Sequence, residues 1–270
     1  MLLALCPLLA ANPIPIAPGV FMPRISAGHP DDGHRNETAA ALAWLAAGGR
    51  GIDTALSYHN QVQVGEAVRA SGVNRSEIFL TTKIGGGGSP ACSKAAAAAA
   101  IDTDLSQLQM DYVDLLLIHF PCDTLEGTRN AWTALQAAHA TGKARAIGVS
   151  NFAKADMDAV LALGGTAPSI NQCQMSVGSH DDATIAYCRA HNITYESYSP
   201  LRRVDLTDKR ITAIATAHGV SAAQVALKFI DQQDVPIATS PGTNAEHIKE
   251  DLALETFTLA DSEMATLSSI

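Results

Sequence analysis

A (β/α)8 barrel is the fold this sequence predicts, on three observations. Eight short apolar runs, rich in Ile, Val, Leu, Thr or Tyr, recur along the 270 residues; such runs suit strands buried on both faces. Amphipathic stretches with readable ends lie between most of them, and strand–helix alternation through eight units points to parallel strands wrapped by helices. No GxGxxG occurs anywhere, which removes the main support for a doubly wound sheet, the structural rival.

In chain order, residues 13–22 come first (Ile14, Ile16, then Pro18-Gly19, then Phe21). They read as a small hairpin plugging the barrel's N-terminal end. The strands are expected at 24–28, 51–55, 78–83, 112–119, 144–150, 169–174, 194–199 and 235–240. A helix over 37–47 stops at Gly48-Gly49, and one over 65–71 stops at Gly72. The helix over 94–109 follows Ser93, a good N-cap, and its alanine run is high helix propensity rather than a linker. Helices over 125–141, 154–163 and 182–191 stop at Gly142, Gly164-Gly165 and Asn192. Two helices then run back to back, 208–218 and 222–232, split by Gly219 with Ser221 as N-cap. Helices over 247–253 and 260–268 finish the chain. Gly85–Gly88 reads as a flexible rim loop. One domain over 13–270 is expected, an ordinary length for such a barrel.

Residues 1–12 are set apart as an apolar tail or leader. Met1 to Ala11 lack a basic n-region, so the core of a cleaved leader and a simple tail both stay open. A hydrophobic content of 47% with 17% charged residues describes a globular chain. The net charge of −9 argues against nucleic acid and anionic membrane as main partners. It does not exclude an anionic cofactor, which backbone N–H groups and a few local cations can hold. The cysteines are Cys6, Cys92, Cys122, Cys173 and Cys188, an odd number without a CxxC. They are expected to be reduced thiols, most of them buried. A cytoplasmic, monomeric chain is expected.

Function gathers around Gly51-Ile52-Asp53-Thr54-Ala55-Leu56-Ser57-Tyr58-His59-Asn60. Asp53 has apolar neighbours, and burying a carboxylate without a cation or hydrogen bonds is costly. In such a barrel the C-terminal strand ends converge on one face, where active sites lie. Asp53 ends the second strand, with Tyr58 in the loop after it. Lys83 ends the third and His119 the fourth. Three adjacent strands thus deliver an acid, a phenol, an ammonium and an imidazole to one rim. A free Tyr has a pKa of about 10 and transfers protons poorly at neutral pH. A nearby ammonium lowers that pKa, and Asp53 can hold Lys83 charged and oriented. His119 can hydrogen-bond a carbonyl oxygen placed between it and Tyr58. The set lacks a paired Ser or Cys nucleophile, and no metal is expected, since one His alone is placed there.

These residues lie within a wider resemblance, from about Ile14 to Leu267. It is carried by Met22-Pro23, the 51–55 run with Tyr58 and Val64-Gly65, Thr82-Lys83, and Asp114-Leu115-Leu116-Leu117-Ile118-His119. It continues through Gly142-Lys143, Ala146-Ile147-Gly148-Val149-Ser150-Asn151-Phe152, Asn171-Gln172, Tyr198-Ser199-Pro200-Leu201 and the 246–251 run. The chain resembles the aldo-keto reductases. The resemblance implies a catalytic tetrad of Asp53, Tyr58, Lys83 and His119, with hydride passing from a nicotinamide cofactor to an aldehyde or ketone. It implies Tyr58 as general acid, Lys83 and Asp53 tuning it, and His119 orienting the carbonyl. Ser150, Asn151 and Gln172 look like the carboxamide-binding group, Tyr198 like the ring that stacks on nicotinamide, and Ser199 and Leu201 like pyrophosphate contacts. Thr239, Ser240 and His247 fall at the 2′-phosphate end, and Glu250 and Asp251 at the adenine end.

Two departures stand out. Thr239 stands where the family usually has Lys, and His247 where it usually has Arg; an imidazole is a poor substitute for a bidentate guanidinium. The Ser240 hydroxyl, the loop amides and the N-terminus of the helix bearing His247 are left to hold phosphate. NADPH is the expected cofactor, with NADH the alternative. The chain also stops at Ile270, without the long closing loop of many members, so an open, shallow pocket is expected, walled by Phe120, His59, Phe152 and His29. A cofactor-binding regulatory or sensor subunit on the same barrel is the second reading, and a metal-dependent hydrolase barrel the third.

Overall fold

The computed structural model describes residues 12–28, 36–85 and 90–270. The apolar Met1 to Ala11 segment, His29 and the glycines Gly86 to Gly88 lie outside the described residues. A two-stranded antiparallel hairpin, β1 (Ile14–Ala17) and β2 (Val20–Met22), precedes the barrel. The barrel strands are β3 (Ile25–Gly28), β4 (Gly51–Asp53), β5 (Phe79–Ile84), β6 (Val113–Ile118), β7 (Ala144–Ser150), β8 (Ile170–Gln174), β9 (Thr194–Tyr198) and β10 (Ile237–Thr239). They close in the order β10-β3-β4-β5-β6-β7-β8-β9, every neighbouring pair parallel. The predicted eight-stranded barrel and its hairpin are therefore present.

The helices between and after them are α1 (Glu37–Ala46), α2 (Gln61–Ala70), α3 (Lys94–Leu108), α4 (Leu125–Ala140), α5 (Lys154–Leu161), α6 (Asp182–Ala190), α7 (Lys209–His218), α8 (Ala222–Asp231), α9 (Ala245–Asp251) and α10 (Asp261–Ser268). Their ends follow local chemistry. Ser93 accepts from the Ala96 N–H at the start of α3. Ser221 and Gln224 form a capping box at α8. Gly219, at φ 67°, closes α7. Helix α2 begins four residues before its expected start, and Asn60 caps it without a side-chain bond. The Asn60 side chain instead accepts from Thr54 Oγ1 at 2.7 Å, stapling the loop that carries Tyr58. Gly65 in α2 has no room for a side chain, because a Cβ there would lie 2.2 Å from the Leu108 carbonyl oxygen.

Alternation in β6 explains the two cores. Leu115 and Leu117 point inward and pack with Ile14, Ile16, Val20, Met22, Phe79, Ala146 and Ile170. The hairpin thus plugs the barrel's N-terminal end, as expected. Leu116 and Ile118 point outward and join Trp44, Trp132 and Ile147 beneath the helices. Asp114, near the start of β6, accepts from Arg75, Arg145 and the Leu80 N–H. That network braces the barrel away from the rim where active sites lie.

The expectation of reduced cysteines is corrected. Cys92 and Cys122 form a disulfide, and Cys173 and Cys188 are free. Cys92 lies beyond the end of β5 and Cys122 beyond the end of β6, so neighbouring strands bring together residues 30 apart in sequence. Counting cysteines could not see that proximity. Among the described residues no single helix is long and apolar enough to cross a membrane.

Candidate active site

The ends of β4, β5 and β6 place three polar side chains on one rim. Asp53 closes β4, Lys83 is next to last in β5, and His119 follows β6 directly. Tyr58 comes from the short 3-10 turn Leu56–Tyr58. Lys83 Nζ donates to Asp53 Oδ1 at 2.5 Å and to the Thr54 carbonyl at 3.0 Å. It lies 5.2 Å from the centroid of the Tyr58 ring. The Tyr58 hydroxyl is 3.5 Å from His119 Nε2, and the two rings meet edge to face. Ser57 Oγ lies 3.2 Å from His119 Nδ1 and holds the other side of the imidazole.

The electrostatics follow from burial. Lys83 is 1% exposed. Burial alone would pull its pKa down, but Asp53 and Tyr58, with a smaller contribution from Glu196, raise it above the ordinary lysine value. Burial and the Lys83 charge push His119 down to about 3, so its imidazole is neutral near pH 7. Tyr58 behaves differently from the sequence expectation. Burial raises its pKa more than Lys83 lowers it, and the net shift is upward. The phenol therefore keeps its proton at neutral pH.

Asp53, Tyr58 and His119 line an open cleft of about 330 Å3, shared with Ser150, Asn151, Gln172, Tyr198, Ser199, Thr239 and Ser240, while Lys83 is buried outside the lining. Within it, Ser150 Oγ donates to the Gln172 carbonyl. Asn151, at φ 61°, donates from Nδ2 to the His119 carbonyl and to Ser150 Oγ. Its Oδ1 accepts from the Tyr198 hydroxyl at 2.8 Å. Gln172 Nε2 donates to Asp53 Oδ2 at 2.9 Å. Of the amides expected at the carboxamide end, Gln172 thus ties directly to Asp53, and Asn151 ties to the His119 backbone.

The other predicted contacts, Thr239 excepted, lie away from the cleft lining. Leu201 packs against the main core. Thr239 Oγ1 donates to buried Asp251, whose carboxyl is pushed up to about 6 by burial. Glu250 accepts from Ser221 Oγ. His247 is exposed on α9, and its backbone N–H, with that of Glu246, already donates to Asn244 Oδ1. Of the expected wall residues, Phe120 lines the cleft and stacks on His119. Phe152 does not: it is 1% exposed and belongs to the core. His59 is exposed and lies outside the lining.

Two residues escaped the sequence reading. Arg202 lines the cleft beside Ser199 and Pro200, and its charge acts on the Tyr198 phenol. Its signal was a pair of arginines, Arg202-Arg203, following a loop in an acidic chain. Glu196 is fully buried in β9. Its signal was the one that marked Asp53, an acid inside an apolar strand. Among the described residues, no three His, Cys, Asp or Glu side chains gather as a metal cage.

A profile of the Aldo/keto reductase family matches residues 15–270. A morphine 6-dehydrogenase of Pseudomonas putida is 38% identical, over 93% of this chain and 88% of that protein. An aldo-keto reductase of Mycolicibacterium smegmatis is 36% identical, over 91% of this chain and 85% of its own length. The crystal structure of an aldo/keto reductase from Brucella melitensis superposes with a TM-score of 0.90 at 30% identity, covering 96% of this chain and 97% of that one.

Proposed function

We propose, from the premise that this chain belongs to the Aldo/keto reductase family, that it is an NADPH-dependent reductase of aldehydes or ketones with Tyr58 as general acid. The observation that carries this reading is the buried Lys83–Asp53 pair beneath Tyr58, with neutral His119 at the phenol's edge. When bound, the nicotinamide cofactor supplies the hydride. The chain's own residues handle the proton. Tyr58 holds it on the phenolic oxygen and releases it to the substrate oxygen as negative charge develops there. Lys83 offsets the phenolate charge left behind, and Asp53 keeps the ammonium in place. His119, neutral, donates a hydrogen bond that fixes the carbonyl oxygen near Tyr58.

The cleft residues suit that cofactor. Ser150, Asn151 and Gln172 offer hydroxyl and amide groups to a carboxamide, and Tyr198 offers a ring face for stacking. Ser199, Leu201, Ser240 and Arg202 are assigned to the phosphates, with Thr239, His247, Glu250 and Asp251 around the adenosine half. The cleft contains no family-type lysine at Thr239, so NADH is the competing cofactor. The relative named for morphine 6-dehydrogenation suggests a second direction for the same site, dehydrogenation.

We place the enzyme in the cytoplasm as a monomer with one barrel domain over 13–270. An oxidising compartment, where the Cys92–Cys122 disulfide would persist, is the competing placement. Fractionation of cells making the full chain decides between them, and sedimentation tests the monomer. The function itself is tested by titrating the protein with NADPH and NADH, then offering a panel of aldehydes and ketones. Failure of both cofactors to bind ends this reading. The regulatory-subunit alternative is separated by Tyr58→Phe. An enzyme loses roughly 100-fold or more in turnover while still binding cofactor, the range for removing a general acid; unchanged reduction would remove Tyr58 from its role.

A further inference from the structure

The barrel interior holds a second acid beside Asp53. Gln172 and Glu196 stand opposite each other in the β8–β9 ladder. Gln172 and Ile170 share one side of β8, and Ile170 packs with the inward-facing Leu115 and Leu117. Glu196 therefore points into the barrel, next to the glutamine that donates to Asp53 Oδ2. It is 0% exposed. Neither of its oxygens makes a hydrogen bond of good distance and angle among the described residues. Asp53, by contrast, accepts from Lys83 on one oxygen and from Gln172 on the other.

Charge balance gives Glu196 its protonation state. The groups acting on it are Asp53 from β4, Lys83 from β5 and the Gln172 amide from β8. β10, the other strand paired with β9, carries Ile237, Ala238 and Thr239, and β6 and β7 turn Leu115, Leu117 and Ala146 inward; none of these titrates. One ammonium already matched by Asp53 cannot also neutralise a second buried carboxylate. Burial first, and then the Asp53 charge, raise the Glu196 carboxyl to about 8, with Gln172 and Lys83 offsetting only part of this.

We propose that Glu196 is a positioning residue whose buried proton keeps Lys83 matched to Asp53 alone, so that the ammonium's remaining influence falls on Tyr58. Ionised Glu196 places a second negative charge beside the pair, diverts part of the Lys83 field from the phenol and weakens the acid. The sign follows. Below the Glu196 pKa the carboxyl is neutral and reduction is at its higher plateau. As pH rises through about 8 the carboxyl ionises and the rate steps down.

This inference rests on the reductase reading, so its test has one arm independent of turnover. In the unmodified full chain, NMR of carboxyl-labelled glutamate should show one glutamate holding its proton to about pH 8, with that signal missing in Glu196→Gln. If every glutamate has ionised by about pH 6, a typical spread above the free value, the proposal is overturned even where the protein reduces nothing. The second arm is the pH profile of kcat for aldehyde reduction. The unmodified protein should fall by roughly tenfold through that step, the size of a one-unit change in the acid's pKa passed to the rate. Glu196→Gln, neutral at every pH, should stay on the upper plateau. Superimposable profiles for the two proteins would overturn the proposal. A merely structural glutamate would move stability and leave the shape of the profile unchanged.

Discussion

Lys83 Nζ sits 2.5 Å from Asp53 Oδ1, with both side chains inside the barrel. The relationship is asymmetric in what it risks. A buried pair adds little net stability, because each ion gives up its hydration. Removing one partner leaves the other charge uncompensated, at a cost of about 3–5 kcal/mol. Asp53→Asn should therefore lower the unfolding free energy by several kcal/mol, read from the urea midpoint. It should also slow reduction, because Lys83 then loses its proton more readily. A midpoint unchanged from the parent would mean that the Thr54 carbonyl holds Lys83 without the carboxylate.

His119 supplies a pH signature of its own. Burial and Lys83 hold its pKa near 3, against about 6.5 for an unfolded histidine. Between those values the unfolded chain binds the proton and the folded chain does not, so stability falls as pH drops below about 6.5. The slope from this group cannot exceed about 1.4 kcal/mol per pH unit. Chemical unfolding at pH 7 and pH 5 should show that loss, and His119→Gln should reduce it. Equal pH dependence in both proteins would remove His119 as its source.

Much of the fold was legible because the barrel is a repeat of one local pattern. Residues 144–150 read as a strand and form β7, since every position but Arg145 is buried and the run is apolar. The start of α2 was hidden because Asn60 turns its side chain to Thr54 rather than capping the helix. Asp53, Tyr58, Lys83 and His119 could be picked out because strand ends in a barrel face one rim. Glu196 carried the same mark as Asp53 but lies deeper, one strand beyond Gln172. Phe152 was misplaced for a related reason: the residue after a rim amide can turn back into the core, and sequence alone does not give its direction.

The Cys92–Cys122 link ties the turn after β5 to the segment that begins at His119. Closing a loop of 30 residues restricts the unfolded chain by about 3–4 kcal/mol in the entropic account. Reduction under native conditions, or Cys92→Ser with Cys122→Ser, should lower Tm by roughly 5–10 °C for a chain of this size. Phe120 stacks on His119 two residues before Cys122, so the substrate KM should rise with it. A Tm indifferent to reductant would show that the bridge contributes nothing to the native state in solution.

Cofactor preference can be decided at Thr239. Its hydroxyl is buried and donates to Asp251, and the nearby His247 is exposed on α9. The 2′-phosphate end therefore presents a carboxyl group and a hydroxyl where a fixed cation would best match a dianion. Thr239→Lys would place an ammonium beside Asp251, which can hold it in ionised form. The added charge-assisted bond should tighten NADPH by roughly tenfold, at the lower end of 1.5–3 kcal/mol for hydrogen bonds to charged groups. NADH, lacking that phosphate, should change little. Kd values for both cofactors from fluorescence titration, at two ionic strengths, separate the cases: a gain confined to NADPH and eroded by salt marks a phosphate contact. Equal tightening of NADPH and NADH would put the new ammonium on the pyrophosphate instead, and Thr239 would lose its assignment to the 2′-phosphate end.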